Sequence, residues 1–277
     1  MSGLSEFVLA LLVGVATGVL SGMFGVGGAM VSTPGIRALG ATPLQAVGST
    51  LPSVVPSSIS GTIRYARAGL IRWDVFWWVA PTGIVASVGG ALLTTVIPGN
   101  GHPLMLATAA LVGFTAIRLG RPVRTVEVNL DPTAAGASAS ASAGAGAAPA
   151  PRTEVWRLLV VGLAAGALSG LLGIGGGLLL VPVFVGTVRL PLKVALGTSL
   201  ACVGVLAIPG TITHALLGHI DWSFAIPLAI GVVPGAQLGA MLAIRASDRA
   251  LRISVAVVLG TIAVVYFAGE LRALVTG

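Results

Sequence analysis

The sequence predicts an all-α polytopic membrane protein made of two homologous halves of about four apolar segments each. Three observations carry that prediction. Of 277 residues, 56% are hydrophobic and only 8% charged, against about 25% charged in soluble domains. Apolar runs long enough to cross about 30 Å of hydrocarbon recur along the chain. The stretch Ser21-Gly22-Met23-Phe24-Gly25-Val26-Gly27-Gly28 returns as Ser169-Gly170-Leu171-Leu172-Gly173-Ile174-Gly175-Gly176, and Pro34 or Pro182 follows each copy at the same distance.

Apolar length places candidate spans at about 4–30, 42–63, 75–97 and 103–119, then at about 155–185, 192–213, 223–244 and 250–269. The first run lacks the basic n-region of a cleaved signal peptide and belongs to the repeat, so it is expected to be retained. Residues 1–120 form the first transmembrane repeat and 153–277 the second. Between them, 121–152 reads as a flexible, Ala/Ser/Gly-rich cytoplasmic linker, too poor in large side chains to fold alone. The halves align beyond the glycines: Gly48-Ser49-Thr50 with Gly197-Thr198-Ser199, Gly61 with Gly210, Gly69 with Gly218, Trp73 with Trp222.

Arginine placement gives the relative orientation of the copies. The loop after the second segment of the first half carries Arg64, Arg67 and Arg72, whereas its counterpart holds His214, His219 and Asp221. Conversely, 97–102 lacks Arg and Lys, while its counterpart holds Arg245, Arg249 and Arg252. A cytoplasmic bias that swaps between copies is the pattern of inverted repeats. Inversion needs an odd number of crossings per half. The long opening segment, broken by glycines, is therefore expected to cross and return as a partial helix, for about ten passes; a plain eight-helix arrangement is the alternative. The net charge of +7 belongs to these topology arginines rather than to nucleic-acid binding.

The glycines divide by spacing. Gly14, Gly18 and Gly22, like Gly162, Gly166 and Gly170, recur every fourth residue and put small surfaces on one helix face, which suits helix packing. Gly25, Gly27 and Gly28 with Gly173, Gly175 and Gly176 share no face and disfavour continuous helix. Broken backbone at membrane depth must be buried in protein or line a cavity. Its free amides and the positive end of the next helix suit an anion. Ser21, Ser49, Thr50, Ser169, Thr198 and Ser199 add hydroxyl donors beside the breaks, or else bond their own helices. Arg64 and His214, near-equivalent at the segment ends, are candidate gate residues. Gln45 and Gln237 read as helix–helix bonding groups.

Absences narrow the chemistry. Apart from Glu6, no carboxylate falls inside an expected span, which argues against cation or proton relays. The glycine clusters complete neither a phosphate loop nor a dinucleotide fingerprint. Histidine spacing gives no metal site, and Cys202 is the single cysteine. No cofactor, metal or catalytic constellation is therefore expected.

The duplicated S-G-x-x-G-[VI]-G-G and the A-[VL]-G-[ST]-[ST] at Ala46 to Thr50 and Ala195 to Ser199 resemble the sulfite exporter TauE/SafE family over nearly the whole chain except the linker. The resemblance implies a permease of the bacterial inner membrane, with the glycine breaks and the paired hydroxyls at 49–50 and 198–199 as matching positions. It further implies sulfite or an organosulfonate as substrate; export by alternating access, with no enzymatic activity, is the expected function, and the expected partners are that anion, the lipid bilayer and a second copy in a homodimer. A carboxylate carried by the same architecture is one alternative. A non-transporting scaffold or membrane-embedded enzyme is another.

Overall fold

The computed structural model describes residues 3–94, 102–120, 152–173 and 175–276. The expected linker at 121–152 lies almost wholly outside the described residues. Among the described residues every element is helical, and each half contributes five helices in the same order. The first half contains α1 (Gly3–Phe24), α2 (Ala29–Ala38), α3 (Pro43–Arg67), α4 (Trp73–Leu93) and α5 (His102–Gly120). The second contains α6 (Arg152–Leu172), α7 (Gly177–Gly186), α8 (Leu192–Leu216), α9 (Trp222–Arg245) and α10 (Asp248–Thr276). The opening apolar run of each half is thus two helices, a long one and a ten-residue one, separated by the glycine cluster.

Local chemistry sets the boundaries. Thr42 and Gln45 form a capping box at the start of α3, with Thr42 N–H donating to Gln45 Oε1 at 3.1 Å. Gln45 therefore caps its own helix, where the sequence pointed to a bond between helices. Asp221 caps α9 by accepting from Ser223 N–H at 3.0 Å. Pro34 and Pro182 remain inside α2 and α7 at equivalent positions.

The halves interlock rather than sit side by side. The first helix of each half packs along the fourth helix of the other, α1 on α9 and α6 on α4. The third helices, α3 and α8, cross each other at the centre, and α5 packs on α10. Exchanging the halves maps these pairings onto themselves.

The fourfold glycine spacing explains the closest of these contacts. A Cβ at Gly14 would lie 2.7 Å from the Leu228 carbonyl oxygen, and one at Gly18 or Gly22 would overlap the Val232 or Ala236 carbonyl. The second copy repeats this, with Gly162, Gly166 and Gly170 against Val79, Gly83 and Ser87. Hydroxyls reinforce the contact between halves: Ser60 donates to the Val233 carbonyl and Ser87 to the Leu206 carbonyl, both at 2.8 Å.

Among the described residues, five helical stretches are long and apolar enough to cross a membrane: Ser5–Phe24, Trp73–Leu93, Val155–Leu172, Leu192–Leu216 and Trp222–Arg245. Their outward faces expose Leu12, Trp77, Val85, Leu163 and Ile230, as a lipid-facing surface requires. Helix α3 is different. At 25 residues it spans about 37 Å, yet it buries Ser49, Thr50, Ser53, Ser57 and Ser58 beside Val47, Leu51 and Val54. Its apolar counterpart α8 is the most deeply enclosed of the five stretches.

The glycine contacts predict a selective sensitivity to side-chain size. Gly18→Leu and Gly166→Leu force α1 from α9 and α6 from α4, costing about 3 kcal/mol or more. In detergent both are expected to melt well below the parent protein and to lose monodispersity. Gly89→Ala, at a position with open space around it, is expected to melt within a degree or two of the parent, because it only raises helix propensity.

Candidate functional site

The two breaks have the same backbone. Gly25, Gly27 and Gly28 adopt φ of 68°, 86° and 78°, and Gly173, Gly175 and Gly176 adopt 69°, 77° and 72°. These left-handed values explain why both stretches need glycine. The N–H of Gly25 closes α1 by donating to the Ser21 carbonyl at 2.9 Å, and Gly173 closes α6 on Ser169 at 3.0 Å. Helices α2 and α7 then start at Gly28 and Gly176 with no side-chain cap. The Val31 and Leu179 N–H groups donate back to the Gly28 and Gly176 carbonyls at 3.0 and 3.1 Å, and the two amides before each lack intrahelical partners and carry the positive end of the helix dipole.

Each break rests on the third helix of the opposite half. A Cβ at Gly25 would lie 2.6 Å from the Leu196 carbonyl oxygen of α8, and one at Gly173 2.7 Å from the Val47 carbonyl oxygen of α3. The breaks also touch each other, since a Cβ at Gly177 would meet Val26 Cα at 2.6 Å and the Gly25 carbonyl oxygen at 2.8 Å. Gly175 lies between Val54 and Val203, near the midpoints of α3 and α8. The predicted glycines are therefore gathered, fully buried, where the halves cross.

The hydroxyls separate into two groups. Ser199 donates to the Gly25 carbonyl at 2.9 Å, and Thr50 donates to the Val47 carbonyl against which Gly173 packs, also at 2.9 Å. Ser21 accepts from Ser57 at 2.8 Å. Ser169 is equally buried, but its hydroxyl has no protein partner. These four lie at the breaks. Ser49 and Thr198 instead accept from the backbone N–H of Asp221 at 2.8 Å and of Arg72 at 2.9 Å. The preceding glycines admit the same loops, with Gly48 under the His219 carbonyl and Gly197 under that of Leu70. In the A-[VL]-G-[ST]-[ST] motif, the glycine and first hydroxyl anchor a loop of the other half, while the second hydroxyl faces a break.

The two candidate gate residues lie in different settings. His214 is fully buried, with Nε2 3.0 Å from the Gly170 carbonyl and Nδ1 3.1 Å from His219 Nδ1. The carbonyl fixes a proton on Nε2, so His214 Nδ1 accepts from His219. Partial burial holds His219 below the ordinary imidazole range. Arg64 is partly exposed in the last turn of α3, where a cation suits the negative helix end. The structural counterpart of His214 is Tyr65, whose hydroxyl donates to the Gly22 carbonyl at 2.9 Å. Sequence reasoning missed Tyr65. The register that pairs Gly61 with Gly210 and Gly69 with Gly218 would have found it.

Two spaces adjoin this centre. A cavity of about 10 Å³ touches Ser21, Gly28 and Met30 and is covered by Val258 and Leu259 of α10, room for about one water. A cleft of about 340 Å³ opens between α3 and α8, walled by Ile59, Trp73, Phe76 and Ile208. Ser58 and Thr62 line that cleft with hydroxyls that have no protein partner. Among the described residues, no group of three His, Cys, Asp or Glu side chains could hold a metal ion.

The comparisons agree with this architecture. A model of the family described as sulfite exporter TauE/SafE matches residues 10–266. A probable membrane transporter protein of Xylella fastidiosa (strain 9a5c) is 29% identical over 239 residues, covering 85% of this chain and 83% of the relative. The probable membrane transporter protein YunE of Bacillus subtilis is 22% identical over 250 residues, covering 85% and 88%. A further probable membrane transporter protein, MJ0441 of Methanocaldococcus jannaschii, is 22% identical over 281 residues, covering 92% and 94%. No solved structure matches the chain. With the matched region running from α1 through both glycine breaks into α10, the chain belongs to the sulfite exporter TauE/SafE family of membrane transporters.

Proposed function

We propose that this protein is a permease of the bacterial inner membrane that exports a small sulfur-containing oxyanion, sulfite or an organosulfonate, by alternating access. The observation that carries the reading is the meeting of two uncapped helix starts, α2 and α7, beside left-handed glycines buried where the halves cross. Free amides and neutral hydroxyls at the breaks, for which Ser21, Thr50, Ser169 and Ser199 are the candidates the sequence singles out, would replace the anion's hydration shell. Neutral donors suit a carrier, because a full countercharge in a low-dielectric site would hold the anion too tightly for release. With the cytoplasm negative, each exported charge gains about 2.3 kcal/mol per 100 mV. Transport rather than catalysis is also the activity for which the relatives are named.

Alternating access follows from treating the halves, 1–120 and 153–277, as inverted repeats joined by a cytoplasmic linker at 121–152. The arginine swap and the five-helix count per half support inversion. Tyr65 and His214 tie equivalent carbonyls at opposite ends of the crossed pair α3 and α8. Release of one tie at a time would open one side of the breaks and then the other.

Flux tests the function directly. Purified protein in liposomes is expected to move sulfite or a sulfonate faster than acetate or chloride; movement of acetate alone would assign a carboxylate carrier, and no anion movement would refute transport. Gly27→Val is expected to reduce flux by about 100-fold, with the variant still inserted in membranes. Ser199→Ala, which removes the bond to the break, is expected to slow flux about tenfold, whereas Ser49→Ala and Thr198→Val lower stability by about 1–2 kcal/mol and leave the substrate KM unchanged. Reporters at Asn100 and within 135–150 are expected on opposite faces of the membrane. The same face for both would contradict inversion.

A further inference from the structure

The breaks share a backbone but not a chemistry. Around Gly28 the first half places Thr17 and Ser21, since a Cβ there would meet Thr17 Cγ2 at 2.7 Å and Ser21 Cβ at 3.0 Å. Around Gly176 the second half places Ala165 in the position of Thr17. One turn into α2 stands Ser32, and the equivalent residue of α7 is Leu180, both fully buried. Ser57 bonds Ser21, whereas its counterpart Leu206 leaves Ser169 without a hydroxyl neighbour of that kind. Three of four polar positions in the first break are thus apolar in the second.

Two of the first-break hydroxyls have no partner in the protein. Thr17 Oγ1 and Ser32 Oγ make no hydrogen bond, in residues that are 1% and 0% exposed. Burying an unsatisfied hydroxyl is unfavourable, and native proteins rarely leave such groups unexplained. The Thr17 side chain meets Gly28, the uncapped start of α2, through its methyl Cγ2, and carries its free hydroxyl on the same Cβ. Two free hydroxyls thus flank the uncapped start of α2, one on α1 beside Gly28 and one a turn into α2. At the second break the lone free hydroxyl, Ser169, lies on the helix that also carries Ala165.

We propose that the anion's oxygens are held by the first break alone, through Thr17, Ser32 and the first-turn amides of α2, while the second break serves as an apolar wall that shifts between states. This rests on the reading of the breaks as the anion site and assigns that site to one half. A symmetric carrier would present like surfaces to both sides of the membrane. An asymmetric one keeps the anion's polar contacts with the first half throughout the cycle, and the second half moves past them.

The test follows the melting of the full chain in detergent as sulfite, sulfate or acetate is added, because a ligand that binds only the folded state raises its melting temperature. Thr17→Val and Ser32→Ala are expected to weaken apparent sulfite affinity about tenfold, and Ser169→Ala less than about twofold. Removing an unpaired buried hydroxyl leaves the unliganded fold as stable or more so. Both first-break variants should therefore melt, without anion, at or above the parent temperature, and Thr17→Ser should keep parent affinity. Equal weakening at both breaks, no weakening at Thr17 and Ser32, or no shift of the parent by any anion would overturn the assignment. Sulfite flux alongside equal weakening would remove only the asymmetry and leave the carrier intact. A Thr17-dependent shift with acetate, without flux of any sulfur oxyanion, would remove the sulfur substrate and leave the site.

Discussion

Backbone that leaves a helix inside hydrocarbon must be enclosed by protein, because lipid offers its amides and carbonyls no partners. The rest of this fold follows from that constraint. Two stretches break at glycine, so two sets of peptide groups need enclosure. Helices α3 and α8 supply the floor on which the breaks rest, through the Val47 and Leu196 carbonyls. Helices α5 and α10 supply the cover: Thr115 of α5 donates to the Leu178 carbonyl of α7 at 3.2 Å, and Leu259 of α10 closes the space beside Gly28. The glycine faces of α1 and α6 draw in the fourth helices of the opposite halves and complete the wall.

Duplication gives this enclosure its economy, and divergence gives it direction. The same register recurs in the left-handed glycines, in the loop anchors Ser49 and Thr198, and in the carbonyl ties of Tyr65 and His214. What differs is side-chain polarity. Helix α3 buries a row of hydroxyls where α8 buries Cys202, Leu206 and Ala207. A phenol closes one tie, and an imidazole that also bonds His219 closes the other. Two halves with one backbone thus present unlike chemistry to whatever passes between them.

Much of this was legible in the sequence, for identifiable reasons. Spacing of four residues reports a helix face without knowledge of the partner, so Gly14, Gly18 and Gly22 were readable as packing glycines before α9 was known to meet them. The breaks were readable because clustered glycines disfavour helix in any context. The roles of Ser49 and Thr198 were not, because each hydroxyl bonds a loop of the other half far along the chain. Gln45 was misjudged because a capping box competes with cross-helix bonding for the same amide. Tyr65 escaped notice because tyrosine and histidine share little beyond a polar tip. The hydroxyl asymmetry required geometry: a buried serine is unexceptional until its lack of a partner is seen.

The most direct measurement is a structure of the protein in a lipid disc with sulfite bound. The account predicts density for the anion within about 3 Å of the Gly28 and Ala29 amides, between the breaks and the midpoints of α3 and α8. Density in the cleft beside Ile59 and Ile208, with the glycine breaks untouched, would contradict it.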